Sequence, residues 1–190
     1  ASCALTKGEV WTRFMTIFAI DNQEFGFDEI VAAAQIWGEW TPFVEAVRQS
    51  LACLQHATHT GQLPPAAAIR EVAKSFRYAR NLISAEEAHL WLQRWQMTVE
   101  DWMNCLRARL LKQNWAAKLT EITNAYPIGD AEVEKVIKIY ALCAGRLEPW
   151  AEKLAGRAAI VADSGRPISD SQPPDKLVAH IEAAFERKRQ

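Results

Sequence analysis

The residues best able to do chemistry in this chain are its cysteines and histidines, and the tightest grouping is Cys53-x-x-His56-x-x-His59. A spacing of three puts Cys53 near His56, or His56 near His59, on successive helical turns, which is chelating geometry. The face drifts with each step, and zinc takes four donors, or three and a water. No fourth ligand is evident, so the expectation is a helix-end cysteine followed by two solvated histidines. Cys105 has Arg107 and Arg109 nearby, but an activated thiolate needs a base or cation beside the sulfur. Cys105 falls near an apolar stripe that those arginines only flank, which predicts a packed thiol. Cys3, Cys53, Cys105 and Cys143 include no CxxC pair, as suits free thiols in a reducing compartment. Glu86–Glu87 and Glu100–Asp101 stand where first-turn helix acids belong, and the eight glycines form no phosphate loop. The chain is therefore expected to carry no catalytic residue, no cofactor and no metal.

Binding chemistry is better represented. Arg70, Lys74 and Arg77 align at helical spacing, with Arg80 beyond them, and a phosphate backbone or an acidic partner could dock there. A solvated charged face accounts for the same pattern. Eight tryptophans are many for 190 residues; large aromatics serve thick helix contacts or interfaces. Trp91, Trp95 and Trp102, with Arg70, Lys74 and Arg77, form the candidate partner-binding set.

These residues are positioned by the stretch Asn81–Lys112, which holds two helix starts of one kind. Ser84 precedes Glu87 by three residues and Thr98 precedes Asp101 by three. In each, the hydroxyl accepts from a first-turn N–H while the acid reaches back to the cap. Two such starts force a short helix, a turn at Gln96–Met97 and a longer helix. The apolar stripes are Ala88, Trp91, Leu92 and Trp95, then Val99, Trp102, Met103, Leu106 and Leu110.

Helical periodicity extends over the rest of the chain. A first helix is expected from Thr6 to about Ile20, then a short one capped by Asp28, then one opened by Thr41-Pro42 and running toward His59. Pro65 leads into a helix whose stripe is Ile69, Val72, Ala73, Phe76 and Ile83. The helix begun at Thr98 is expected to continue past Trp115 toward Ile122. Asp130 caps another, Gly145 ends it, and a stripe from Leu147 to Val161 follows. No segment alternates with period two, so no sheet is expected. The reading is an all-α bundle of about nine helices: a helical domain over 1–162, a Pro/Ser-rich linker over 163–174 and a C-terminal helix over 175–190.

The capped pair resembles the N-terminal helical chaperone domain of SurA-like and PpiC-like proteins. The matching residues are Ile83-Ser84-Ala85-Glu86-Glu87, then Met97-Thr98-Val99-Glu100-Asp101, then Leu106, Arg107 and Leu110, within a span from Pro65 to Lys112. The resemblance implies a helical groove that holds unfolded or extended polypeptide. A parvulin-type isomerase domain often follows in that family; here only helical periodicity follows Lys112, so isomerase activity is not implied.

With 22 basic and 23 acidic residues, the net charge of −1 gives no global field toward nucleic acid or an anionic membrane. No apolar run approaches the roughly 18 residues of a membrane span, and ASCALTKGEV lacks the apolar centre of a signal peptide. The expectation is a cytoplasmic, non-enzymatic, chaperone-like module that binds a protein or peptide through an aromatic-rich groove. The alternative is an adaptor subunit of a larger protein or protein–nucleic-acid assembly, with nucleic acid met only inside such a complex. A Cys/His-dependent enzyme is the third reading.

Overall fold

The computed structural model describes residues 16–20 and 23–163, the last five as helix backbone alone. Its described residues are mostly helical, as the periodicity requires, with one short hairpin. They divide into two compact units: one holds the residues up to Pro42 together with those from Gly145 onward, the other Phe43–Ala144.

In the first unit, strands β1 (Phe18–Ile20) and β2 (Gln23–Phe25) pair antiparallel, with Phe18 opposite Phe25. This corrects two expectations, the absence of any sheet and a first helix reaching Ile20; the part of that helix before Thr16 lies outside the described residues. The physical reason is the cross-strand stack of Phe18 on Phe25, with ring centroids 4.7 Å apart and planes within 10°, a pairing that stabilises a short ladder. Helix α1 (Phe27–Ile36) begins at Gly26, not at the expected Asp28 cap. Glu29 accepts from the Gly26 N–H at 2.7 Å, so the acid one turn in does the capping. Helix α1 and strand β1 pack on the last helix of the described chain, α8 (Leu147–Asp163). Their core is Ile30, Ala34, Leu147 and Trp150. Asp163, expected to open a linker, is the final residue of α8; residues 164–174 and the expected helix 175–190 lie outside the described residues.

Helix α2 (Trp40–Thr60) starts one residue before Thr41, which therefore sits inside its first turn and does not cap it. From Phe43 onward it belongs to the second unit, with α3 (Ala66–Ala79), α4 (Ala85–Arg94), α5 (Val99–Asn114), α6 (Leu119–Ala125) and α7 (Asp130–Cys143). The helix expected to run from Thr98 toward Ile122 stops at Trp115; a 3-10 turn over Ala116–Lys118 separates α5 from α6. Helix α7 starts after Gly129, whose N–H donates to Glu132 at 3.0 Å, so Asp130 is its first residue and not its cap. Helix α5 is central, packed on α3 and on α7. Cys105, Leu106, Ala108 and Leu111 of α5 are buried, as are Ile69 and Phe76 of α3 and Val133 and Leu142 of α7.

Both double caps have the expected geometry. Ser84 Oγ accepts from the Glu87 N–H at 3.0 Å while Glu87 accepts from the Ser84 N–H at 2.7 Å. Thr98 Oγ1 accepts from the Asp101 N–H at 3.0 Å. The Thr98 N–H reaches Asp101 at a longer 3.4 Å, because aspartate is one methylene shorter than glutamate. Between them Gln96 takes a positive φ of 51°, the left-handed residue that lets two helices meet across so short a turn.

Candidate functional site

Three helices of the second unit present one face each to a common hollow. Helix α3 contributes Arg70, Ala73, Lys74 and Arg77, with Tyr78 beside them. Helix α4 contributes Ala85, Ala88, His89 and Leu92; α5 contributes Val99, Trp102 and Met103. Each set follows the i, i+3, i+4 spacing that keeps side chains on one side of a helix. Three of these positions are alanine, so the helix faces do not fill the space between them. A groove of about 560 Å³ results.

The floor is apolar and the rim on the α3 side is basic. Leu92 and Trp102 are buried at 5% and 8% exposure, whereas Val99 and Tyr78 stand 56% and 58% exposed at the edges. Val99 is thus corrected from core residue to rim residue: it is the first residue of its helix, where no neighbouring turn covers it. Ile83, expected on the α3 core stripe, lies beyond the end of that helix and is 62% exposed. The Trp102 indole N–H is buried with no hydrogen-bond partner among the described residues. Such a donor costs on the order of 1–3 kcal/mol.

Of the six candidate binding residues, the fold brings Arg70, Lys74, Arg77 and Trp102 together in this groove and leaves Trp91 and Trp95 out of its lining. Trp91 packs edge-on against Phe76, centroids 5.5 Å apart, and Phe76 in turn meets Trp102 at 5.5 Å. The Arg80 guanidinium lies 4.0 Å from the Phe76 ring centre and donates to the Leu142 carbonyl at 2.8 Å. Trp95 is buried at 7% exposure. Arg77 is partly committed: it donates to the Leu82 carbonyl at 3.1 Å and the Ile83 carbonyl at 2.5 Å, which ties the α3–α4 connection. Arg70 and Lys74 are exposed and make no hydrogen bond or ion pair among the described residues. Sequence reasoning missed Tyr78, His89 and the alanines; the signal was the shared i, i+3, i+4 phase of Ala73, Ala85 and Ala88 with the basic and aromatic positions.

The Cys/His motif comes apart in three dimensions. Cys53 is fully buried, and burial pushes its thiol above the usual range. His56 packs edge-on against Trp115 and Tyr126, centroids 5.0 and 5.3 Å away. His59 Nδ1 lies 3.0 Å from the Tyr126 hydroxyl. Among the described residues no three His, Cys, Asp or Glu side chains gather as a metal site would need. Cys105 and Cys143 are free thiols buried within hydrogen-bonding reach of each other, and burial drives the Cys105 thiol strongly upward, away from thiolate. The nearby Tyr140 hydroxyl is raised by the same desolvation. Arg109, which sequence placed beside Cys105, donates instead to the Cys143 carbonyl.

A second hollow of about 530 Å³ lies between Leu63–Pro65 and the end of α5, with Leu110, Leu111 and Trp115 on its far side. No helix among the described residues is long and apolar enough to cross a membrane. No protein-family model, curated protein or solved structure matches the chain.

Proposed function

We propose that the second unit is a non-catalytic, chaperone-like binding module that holds a peptide or partner segment in the groove between α3, α4 and α5. One observation carries the reading: three helix faces meet at alanines and leave an apolar-floored groove with exposed Val99 and Tyr78 at its mouth. An apolar segment laid there would cover those edges and exchange hydrated surface for side-chain contact, at roughly 25 cal/mol per Å² of apolar area buried. This is the helix-in-groove or extended-segment mode of recognition. The resemblance of the capped pair to SurA-like and PpiC-like helical domains supports the same use.

The test is binding of a permanently unfolded, reduced and carboxymethylated protein, measured by fluorescence anisotropy. The groove is closed in a variant, Ala88→Trp, that changes no charge. The reading expects the full chain to bind the unfolded protein and Ala88→Trp to lose most of that affinity while keeping its helical circular dichroism. Equal binding by both would sink it. An adaptor would behave differently again, ignoring unfolded chains and holding one folded partner at fixed stoichiometry.

A further inference from the structure

The groove is not electrically neutral, and its asymmetry specifies what belongs in it. Arg70, Lys74 and Arg77 lie at i, i+4 and i+7 along α3, a line of cations about 10 Å long at 1.5 Å per residue. No carboxylate lines the groove. Of the acids near these positions in sequence, Glu71, Glu86 and Glu100 are exposed and outside the lining, Glu87 accepts from the Ser84 N–H, which holds its carboxyl below the usual range, and Asp101 accepts from Thr98. Arg77 spends donors on the Leu82 and Ile83 carbonyls, so Arg70 and Lys74 are the cations without a hydrogen bond or ion pair among the described residues. Facing them across the hollow are Leu92, Val99, Trp102 and Met103.

Resting on the groove reading above, we infer that the occupant is an acidic amphipathic segment. Its apolar side chains enter between α4 and α5, and its carboxylates meet Arg70 and Lys74. A cation on the partner would be set against three like charges; a neutral polar one would leave Arg70 and Lys74 solvated and contribute nothing. Phosphate backbone fits less well. Its affinity comes from the number of charges neutralised, and this groove offers few cations beside a floor of alkyl and aromatic groups that a phosphate does not use.

Three short peptides with the same apolar positions and Glu, Gln or Lys at the others separate these cases, titrated against the full chain by fluorescence anisotropy. The Glu peptide is expected to bind at least roughly tenfold tighter than the Gln peptide, and the Lys peptide weakest. Raising NaCl from about 50 to about 300 mM should erode the advantage of the Glu peptide and leave the Gln peptide little changed. The double variant Arg70→Glu/Lys74→Glu should invert the order of Glu and Lys peptides. Both positions are exposed, so the variant should melt like the parent. If Glu and Gln peptides bind equally and both are excluded by Ala88→Trp, the groove stands and the charge inference fails. If no peptide binds, both fail. A single-stranded oligonucleotide that outcompetes the Glu peptide, and loses affinity in the double variant, overturns the inference in favour of a nucleic-acid surface.

Discussion

Two parts of this molecule combine tryptophan with cations, and they use them oppositely. In the first unit, Trp37, Trp150, Glu39, Lys153 and Arg157 close on themselves. The Trp150 indole N–H donates to Glu39 at 2.6 Å, Lys153 pairs with the other oxygen of Glu39 at 2.8 Å, and Lys153 and Arg157 lie 4.1 and 5.3 Å from the Trp37 ring centre. Lys153 first, then Trp150, holds the Glu39 carboxyl below its usual range. In the second unit, Trp102 has no partner for its N–H, and Arg70 and Lys74 no carboxylate, among the described residues. The composition is alike, and the difference lies in pairing. A tryptophan–cation cluster that satisfies its own donors stabilises a fold, and one that does not has donors left for something else. Counting tryptophans therefore says little about an interface, whereas asking where each donor goes separates the two uses.

The contrast can be broken by substitution, beginning with the largest effect. Trp150 is 2% exposed, so Trp150→Ala should cost about 3–5 kcal/mol, seen as a large drop in the denaturant midpoint. Trp102→Phe removes the orphaned donor while keeping a ring in contact with Phe76. It should cost far less than a Trp150→Ala truncation, and a loss as large would show that the Trp102 N–H is paired in solution.

Ser84→Ala and Thr98→Ala should each cost about 0.5–2 kcal/mol through loss of a cap. Acid acts on both units at once. Glu39 and Glu87 have depressed pKa values in the folded protein, so the stability each adds is present above the ordinary carboxylate range near about 4.3 and is lost as pH falls through the lower folded values. Melts followed from about pH 6 downward should lose stability below about pH 4, and Glu39→Gln should flatten part of that slope. The smallest effect belongs to the open cluster: Arg70→Ser and Lys74→Ser should each shift stability by less than about 0.5 kcal/mol. A large destabilisation would mean that these cations are paired after all.

Much of the helical framework was legible in the sequence, because helix starts are local chemistry. Ser84 with Glu87 and Thr98 with Asp101 stated the hairpin outright. The same logic misassigned Asp28 and Asp130, since a glycine can occupy the cap position and leave capping to Glu29 or Glu132 one turn later. The β1–β2 hairpin was hidden because it is only three residues deep and depends on Phe18 meeting Phe25. The groove itself was half legible. Arg70, Lys74, Arg77 and Trp102 could be named from type and spacing, but their meeting depends on how α3, α4 and α5 cross. The decisive residues are alanines, whose contribution is the space they leave. Trp91 and Trp95 were drawn toward packing against Phe76 and into the core, a choice that spacing on one helix cannot reveal.

Hydrogen–deuterium exchange of the full chain, with and without a saturating Glu peptide, tests the groove most directly. New protection is expected only on the faces of α3, α4 and α5 that carry Arg70–Tyr78, Ala85–Leu92 and Val99–Met103, and it should disappear in Ala88→Trp. Protection that instead falls on the Leu63–Pro65 hollow or in the first unit, or that survives Ala88→Trp, would contradict the groove reading.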